Sequence, residues 1–226
     1  ALVSFGQSAQ VASTENATIA ALSDRDTTAT AIAGAGGLAA INAGEGTLNH
    51  TSSARVDFAD ATSADTSADI DALDNLTVTA VNQDIYDSSL DAGAIAVAGA
   101  TGAVLRATGS AATEVDFGNY ADIDARNLTV NATNNLAKTG YNDNFKFDGG
   151  GAISVTVGDS RASQTQTNRI DLGAYSDIAM VGSGSNKGGI SLNALTDVTA
   201  HDDMTLNTGA LVGVPVSDTK VTANAT

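Results

Sequence analysis

Ala92-Gly93-Ala94-Ile95-Ala96-Val97 returns along the chain. Gly150-Gly151-Ala152-Ile153-Ser154-Val155 repeats it, Thr208-Gly209-Ala210-Leu211-Val212 repeats it again, and Ala35–Ile41 is a looser copy. The matching residues Leu38, Ile95, Ile153 and Leu211 are spaced 57, 58 and 58 apart. A fixed period of this size marks a repeat architecture rather than one globular core.

Other phrases keep the same beat. Val56-Asp57-Phe58 recurs as Val115-Asp116-Phe117 and as Ile170-Asp171-Leu172. Alternation predicts the middle Asp facing water with its neighbours inward, the mark of a half-buried strand. Ala68–Ala72 followed by Asn75–Ala80 recurs as Ala121–Ala125 followed by Asn127–Ala132, with a degenerate third copy at Asp177–Met180 and Ile190–Ala194. The two clear copies differ by one residue between Ile and Leu, so insertions are expected in turns. The polar stretches Asn82–Asp91 and Asn134–Gly149 read as longer loops. The second carries Tyr141, Phe145 and Phe147, expected as a local cover over the core. Gly182–Gly189 reads as a turn.

Composition points the same way. The 226 residues include no Cys, no Trp, one Pro, 23 Gly and only 4 % aromatics. A conventional globular core of large side chains is therefore not expected, and a thin one of Ala, Val, Ile and Leu is. Acidic residues are nearly all Asp, which favours turns where Glu favours helices. The net charge of −16, with 10 basic residues scattered singly, gives no footprint for nucleic acid. No apolar run approaches the ~18 residues of a membrane span.

A 58-residue repeat divides into three coils of about 19 residues. Twelve such coils would form a rod of roughly 55–60 Å. The expected fold is all-β, a right-handed parallel β-helix over residues 1–226, the hand following from the usual crossover sense. An antiparallel sandwich array is the runner-up, discounted because each unit would be too small to bury a core alone. Ala1-Leu2-Val3 with Ser8 matches Ala210-Leu211-Val212 with Ser217. The chain is therefore expected to start and stop at one phase of its repeat, as a fragment of something longer.

The Ile-Asp-Ala…Asn-Leu-Thr-Val-x-Ala phrase, with Gly-Ala-Ile-x-Val downstream, resembles the β-helical repeats of very large bacterial surface proteins, the filamentous-haemagglutinin-like and leukotoxin-like adhesins. The likeness spans nearly the whole chain through motifs of low specificity. It implies a secreted, cell-surface, elongated stalk, cohesive filament or matrix segment. Expected partners are adjacent repeats or other copies, end to end or side by side, and cell-surface glycans.

Candidate chemistry is sparse. His50 and His201 lack the neighbours of a catalytic triad, and His201-Asp202-Asp203 reads as a solvated turn. A pair of carboxylates could perform glycosidic chemistry, and Asp69/Asp71 and Asp122/Asp124 each sit two apart, on one strand face. They recur with the repeat, which argues for architecture over an active site. No enzyme is expected; a β-helical carbohydrate-active enzyme, or a carbohydrate-binding face at Asn134–Gly149, is the alternative. Calcium is the one candidate cofactor, its best oxygen cluster being Asn142, Asp143, Asn144 and Asp148. Sequons fall at Asn16, Asn49, Asn75, Asn127, Asn131 and Asn224. Asn75 and Asn127 occupy equivalent places, which predicts side-chain amides hydrogen-bonding up and down a stack. Thr77/Thr79 and Thr165/Thr167 hint at the hydroxyl ladders of ice-binding solenoids without recurring in every coil.

Overall fold

The computed structural model describes residues 1–139, 145–181 and 188–226, except for the side chains of Phe145 and Phe147. Its described strands are β1 (Leu2–Phe5), β2 (Gln10–Ser13), β3 (Ala17–Phe58), β4 (Asp69–Phe117), β5 (Asp122–Lys138), β6 (Phe145–Leu172), β7 (Asp177–Met180), β8 (Ile190–Ala200) and β9 (Met204–Ala225). A 3₁₀ turn at Ala64–Thr66 is the one helical element among the described residues. The fold is all-β, and its strands pair in parallel within one sheet system, which fits a β-solenoid.

Register sets the dimensions. Leu2 pairs with Arg55, an offset of 53. Ala17 pairs with Leu76, an offset of 59. Asn75 with Asn127 gives 52 and Leu128 with Ile190 gives 62. Each hydrogen-bonded neighbour thus lies a whole repeat away, and the expected 19-residue coils do not form among the described residues. The stack has four levels in place of twelve, about 14 Å from first to last backbone at ~4.8 Å per step. The sequence reading divided the period because 58 residues is long for a single coil, and it also took Asn82–Asp91 and Asn134–Gly149 for loops. Both belong largely to strands, Asn82–Asp91 within β4 and Asn134–Lys138 at the end of β5.

Each level has two parts. In the first, three stacked walls converge on one core. Val56 and Phe58, Ile70 and Ala72, and Leu76, Val78 and Ala80 meet their counterparts Val115, Phe117, Ile123, Leu128 and Val130. Period-2 alternation makes these walls: Val56 and Phe58 are buried while Asp57 between them is half-exposed, as expected. Phe5, Phe58 and Phe117 stack at centroid distances of 4.8 and 5.2 Å with their planes nearly parallel. In-register parallel pairing sets identical rings face to face at the strand spacing.

The second part is an arch. The chain runs out along residues 82–96, reverses, and returns along 98–112, so that two sheets face each other. Leu90 packs with Ala103 and Leu105, and Tyr86 with Ala107 and Ala111. In the first level, Asn42 Nδ2 donates to Ala33 O and Gly93 O, both at 3.0 Å, clamping the walls of that arch and tying it to the next. Two of the four reversals use glycine, Gly37 and Gly151, where the others have Ala96 and Ala210. Gly151 has φ 142°, and a Cβ there would sit 1.6 Å from Ala96 O.

The recurring apolar residues that mark the period do not belong to the core. Leu38, Ile95 and Leu211 lie at the arch tip and are 84, 75 and 90 % exposed, while Ile153, in register with Ala98 and Val212, opens the returning wall at 55 %. The phrase recurs because every level turns there, not because it fills the core. The match of Leu2 with Leu211 also fails: Leu2 pairs with Arg55 in a core wall, whereas Leu211 stands at the tip.

Candidate functional site

The arch interior is polar. Asn82, Asp84, Ser88, Thr101, Asn134, Lys138, Ser154, Thr156, Ser160, Gln164 and Gln166 are buried there, with His50 and Ser52. Buried polar groups require partners, and the long amides find them in backbone carbonyls. Asn134 Nδ2 reaches Ala111 O and Thr167 O, both at 3.1 Å, and Gln166 Nε2 reaches Leu136 O and Asp197 O at 3.2 and 3.0 Å.

Two closed charge clusters sit in this interior. His50 Nε2 lies 3.1 Å from Asp84 Oδ2, their side chains 4 % and 0 % exposed. Ser23 Oγ donates to Asp84 Oδ1 at 3.3 Å, and the His50 ring stacks on Tyr86 at 5.6 Å. Serine, histidine and aspartate thus meet, but serine and histidine both engage the carboxylate. A nucleophile must bond the base instead, and all three side chains here are buried. Burial pushes the Tyr86 phenol up to about 12, with the Gln164 side chain opposing and Asp202 adding.

The second cluster joins Lys138 Nζ to Asp202 Oδ1 and to His201 O, each at 3.0 Å, with both side chains 1 % exposed. Ser160 Oγ donates to Asp202 Oδ2. Sequence reasoning placed Lys138 in a loop and missed the cluster. Its available signal was the period-2 run Asn134, Leu136, Lys138. Alternation also splits the expected His201-Asp202-Asp203 turn: Asp202 goes in to Lys138, while Asp203 stays outside with His201 Nε2 at 3.1 Å.

The outward faces carry ladders. Asp69, Asp122 and Asp177 form one column, and Asp71 and Asp124 another two residues along. Asp124 is raised above the ordinary carboxylate range by burial first, then by Asp122, Asp71, Asp177 and Asp69. Burial, Asp71 and Asp122 raise Asp69 likewise. Asp116, beside Glu114, Asp57 and Asp171, is raised by burial and by these acids against the pull of Arg55, which lies 3.2 Å away. Among the described residues, no group of three or more His, Cys, Asp or Glu is arranged to hold a metal ion.

Asparagine forms the expected amide ladder. Asn75 Nδ2 donates to Asn16 Oδ1 at 2.6 Å, Asn127 Nδ2 donates to Asn75 Oδ1 at 2.7 Å, and Asn127 Oδ1 accepts from Gly189 N–H at 3.2 Å. Asn131 accepts from Asn193 Nδ2 at 2.9 Å. Asn16, Asn49 and Asn224 are exposed, while Asn75, Asn127 and Asn131 are half-buried. Of the calcium candidate, Asn142, Asp143 and Asn144 lie outside the described residues, as does Tyr141. Asp148 is exposed, accepting from Asn207 Nδ2 at 3.1 Å with Lys146 Nζ at 3.7 Å. Thr77 joins a hydroxyl column with Thr18, Thr129 and Ser191, but Thr79 stacks on Ala20 and Asn131, so no paired threonine ladder forms.

No family model matches the chain, and no curated protein or solved structure matches it.

Proposed function

We propose that this chain is a structural segment of a large secreted bacterial cell-surface protein, a right-handed β-solenoid in which each level is one repeat of about 58 residues. It serves as stalk, cohesive filament or matrix component. One observation carries the reading: residue types that could do chemistry repeat down the stack. Asp69 stands under Asp122 and Asp177, and Asn16 under Asn75 and Asn127. An active site is needed once, whereas a ladder gains from every level added. Mechanically, pulling a level away breaks a row of backbone hydrogen bonds together with its amide and aromatic stacks. The right hand is the usual sense for a crossover between parallel strands.

The test is electron microscopy of the source cells and of material shed from them, with antibody raised against this chain. Label along thin surface fibres, with a ~4.8 Å repeat along the fibre axis in diffraction, is the expected result. Label on compact particles inside the cell would overturn the reading, as would cleavage of a polysaccharide by the purified chain.

A further inference from the structure

The two outer faces of the arch differ. The outgoing wall presents Asp91 beside Lys146, and Asp148 beside Asn207. The returning wall presents three adjacent columns without a charge or a hydrogen-bonding side chain: Ala39, Ala98, Ile153 and Val212; Ile41, Ala100, Val155 and Val214; Ala43, Gly102, Val157 and Val216. Alternation turns all of them outward, since Ala40, Asn42, Thr101, Ala103, Ser154 and Thr156 between them are buried. Ile41, Ile153 and Val212 are more than half exposed. Grids of this kind on a soluble surface mark contact sites.

We infer that this face is a two-fold interface between copies of the chain. The inference rests on the structural-segment reading above and names the surface through which such segments associate side by side. Two observations select a second copy as occupant. The first is shape. The two early levels are mostly small (Ala39, Ala43, Ala98, Ala100, Gly102), and the two late levels are all Val or Ile. A depression of about 520 Å³ opens over Ala43 and Gly102, rimmed by Val104, Val157 and Asp159. A two-fold axis along the strands reverses the order of levels. It sets the Val216 and Val157 of one copy over the Ala43 and Gly102 of the other, and the grid becomes its own complement.

The second is charge. A chain of net −16 repels its copies, and this grid carries none of that charge. Beyond it, Glu45, Val104, Asp159 and Asp218 form one column, and Thr47, Arg106, Arg161 and Lys220 the next. The rim therefore sums to zero charge; the axis sets each of these columns over itself, and opposite signs meet only one column along. Sheets packed this way lie ~10 Å apart. Three columns by four levels cover on the order of 400 Å², below the ~800 Å² per partner of a standard interface. The contact is therefore weak for four levels and strengthens with each level added.

Sedimentation velocity of this chain from about 10 µM to 1 mM, with salt varied, tests it. A monomer–dimer equilibrium that tightens as salt screens the acidic charge is expected. Val155→Asp and Val214→Asp, both at exposed positions, should weaken it by on the order of 100-fold by burying an unpaired charge, with circular dichroism and thermal midpoint unchanged. The chain has no Cys, so engineered cysteines report the geometry. Ile41→Cys with Val214→Cys should cross-link two copies readily, and Ile41→Cys alone should not. Equal cross-linking by Ile41→Cys alone overturns the reversed order of levels. A monomer throughout, an equilibrium indifferent to Val155→Asp, or a monomer that floats with neutral phosphatidylcholine vesicles overturns the interface. Each of these leaves the structural-segment reading standing, because that reading rests on the labelled fibre.

Discussion

Replacing Asp124 by Asn isolates the cost of stacking like charges in register. Asp124 sits directly over Asp71, with Asp122 two residues along its own strand and Asp177 diagonal to it. Two unit charges ~5 Å apart repel by about 0.8 kcal/mol in water and about 3 kcal/mol at an effective dielectric near 20. Like charges directly opposed across strands destabilise by only about 0.2–1 kcal/mol, because solvent screens them. Burial and the neighbouring acids raise Asp124, so the folded chain binds this proton at a higher pH than the unfolded chain does. The stability this group contributes is therefore full below the unfolded value near ~3.9 and is lost as pH rises through the folded value. At neutral pH the native chain carries the repulsion, whereas Asn keeps the shape without it. Asp124→Asn should gain about 1 kcal/mol near pH 7, which for a chain of this length raises the thermal midpoint by ~2–4 °C. The gain should shrink with added salt and vanish near pH 3, where Asp124 is already protonated. Calorimetry at both pH values decides. A variant less stable at neutral pH, or one whose gain persists in acid, refutes the reasoning.

Further substitutions probe the arch and the ladders. Lys138→Met strands the buried Asp202 carboxylate and should lose about 3–5 kcal/mol in urea unfolding, while Lys138→Met with Asp202→Leu should recover most of it. Gly151→Ala places a Cβ against Ala96 O at a left-handed position and should lose at least ~1–3 kcal/mol. Gly150→Ala, whose Cβ would meet nothing nearer than Ile95 Cγ1 at 3.9 Å, should change the urea midpoint little. Asn75→Ala removes one amide bond on each side of its level and should lose about 1–2 kcal/mol, against no measurable change for the exposed Asn49→Ala.

The sequence by itself determined the β class, the period near 58, the stacking of like on like and the amide ladder at Asn75 and Asn127. Each follows from a rule that acts locally or at a fixed interval. Alternation assigns Val56 and Phe58 inward, and parallel in-register pairing then brings a residue against its own counterpart. The polar interior was not legible. Asn82, Asp84, Ser88 and Lys138 obey the same alternation as the core walls, but their polarity reads as solvent until a facing wall supplies the partners. The exposed tip was hidden for the converse reason: Leu38, Ile95 and Leu211 look like core to any rule that equates apolar with inside. Which of the two faces of a strand is buried depends on what stands opposite it. Only the return of the chain along 98–112 decided that for the arch.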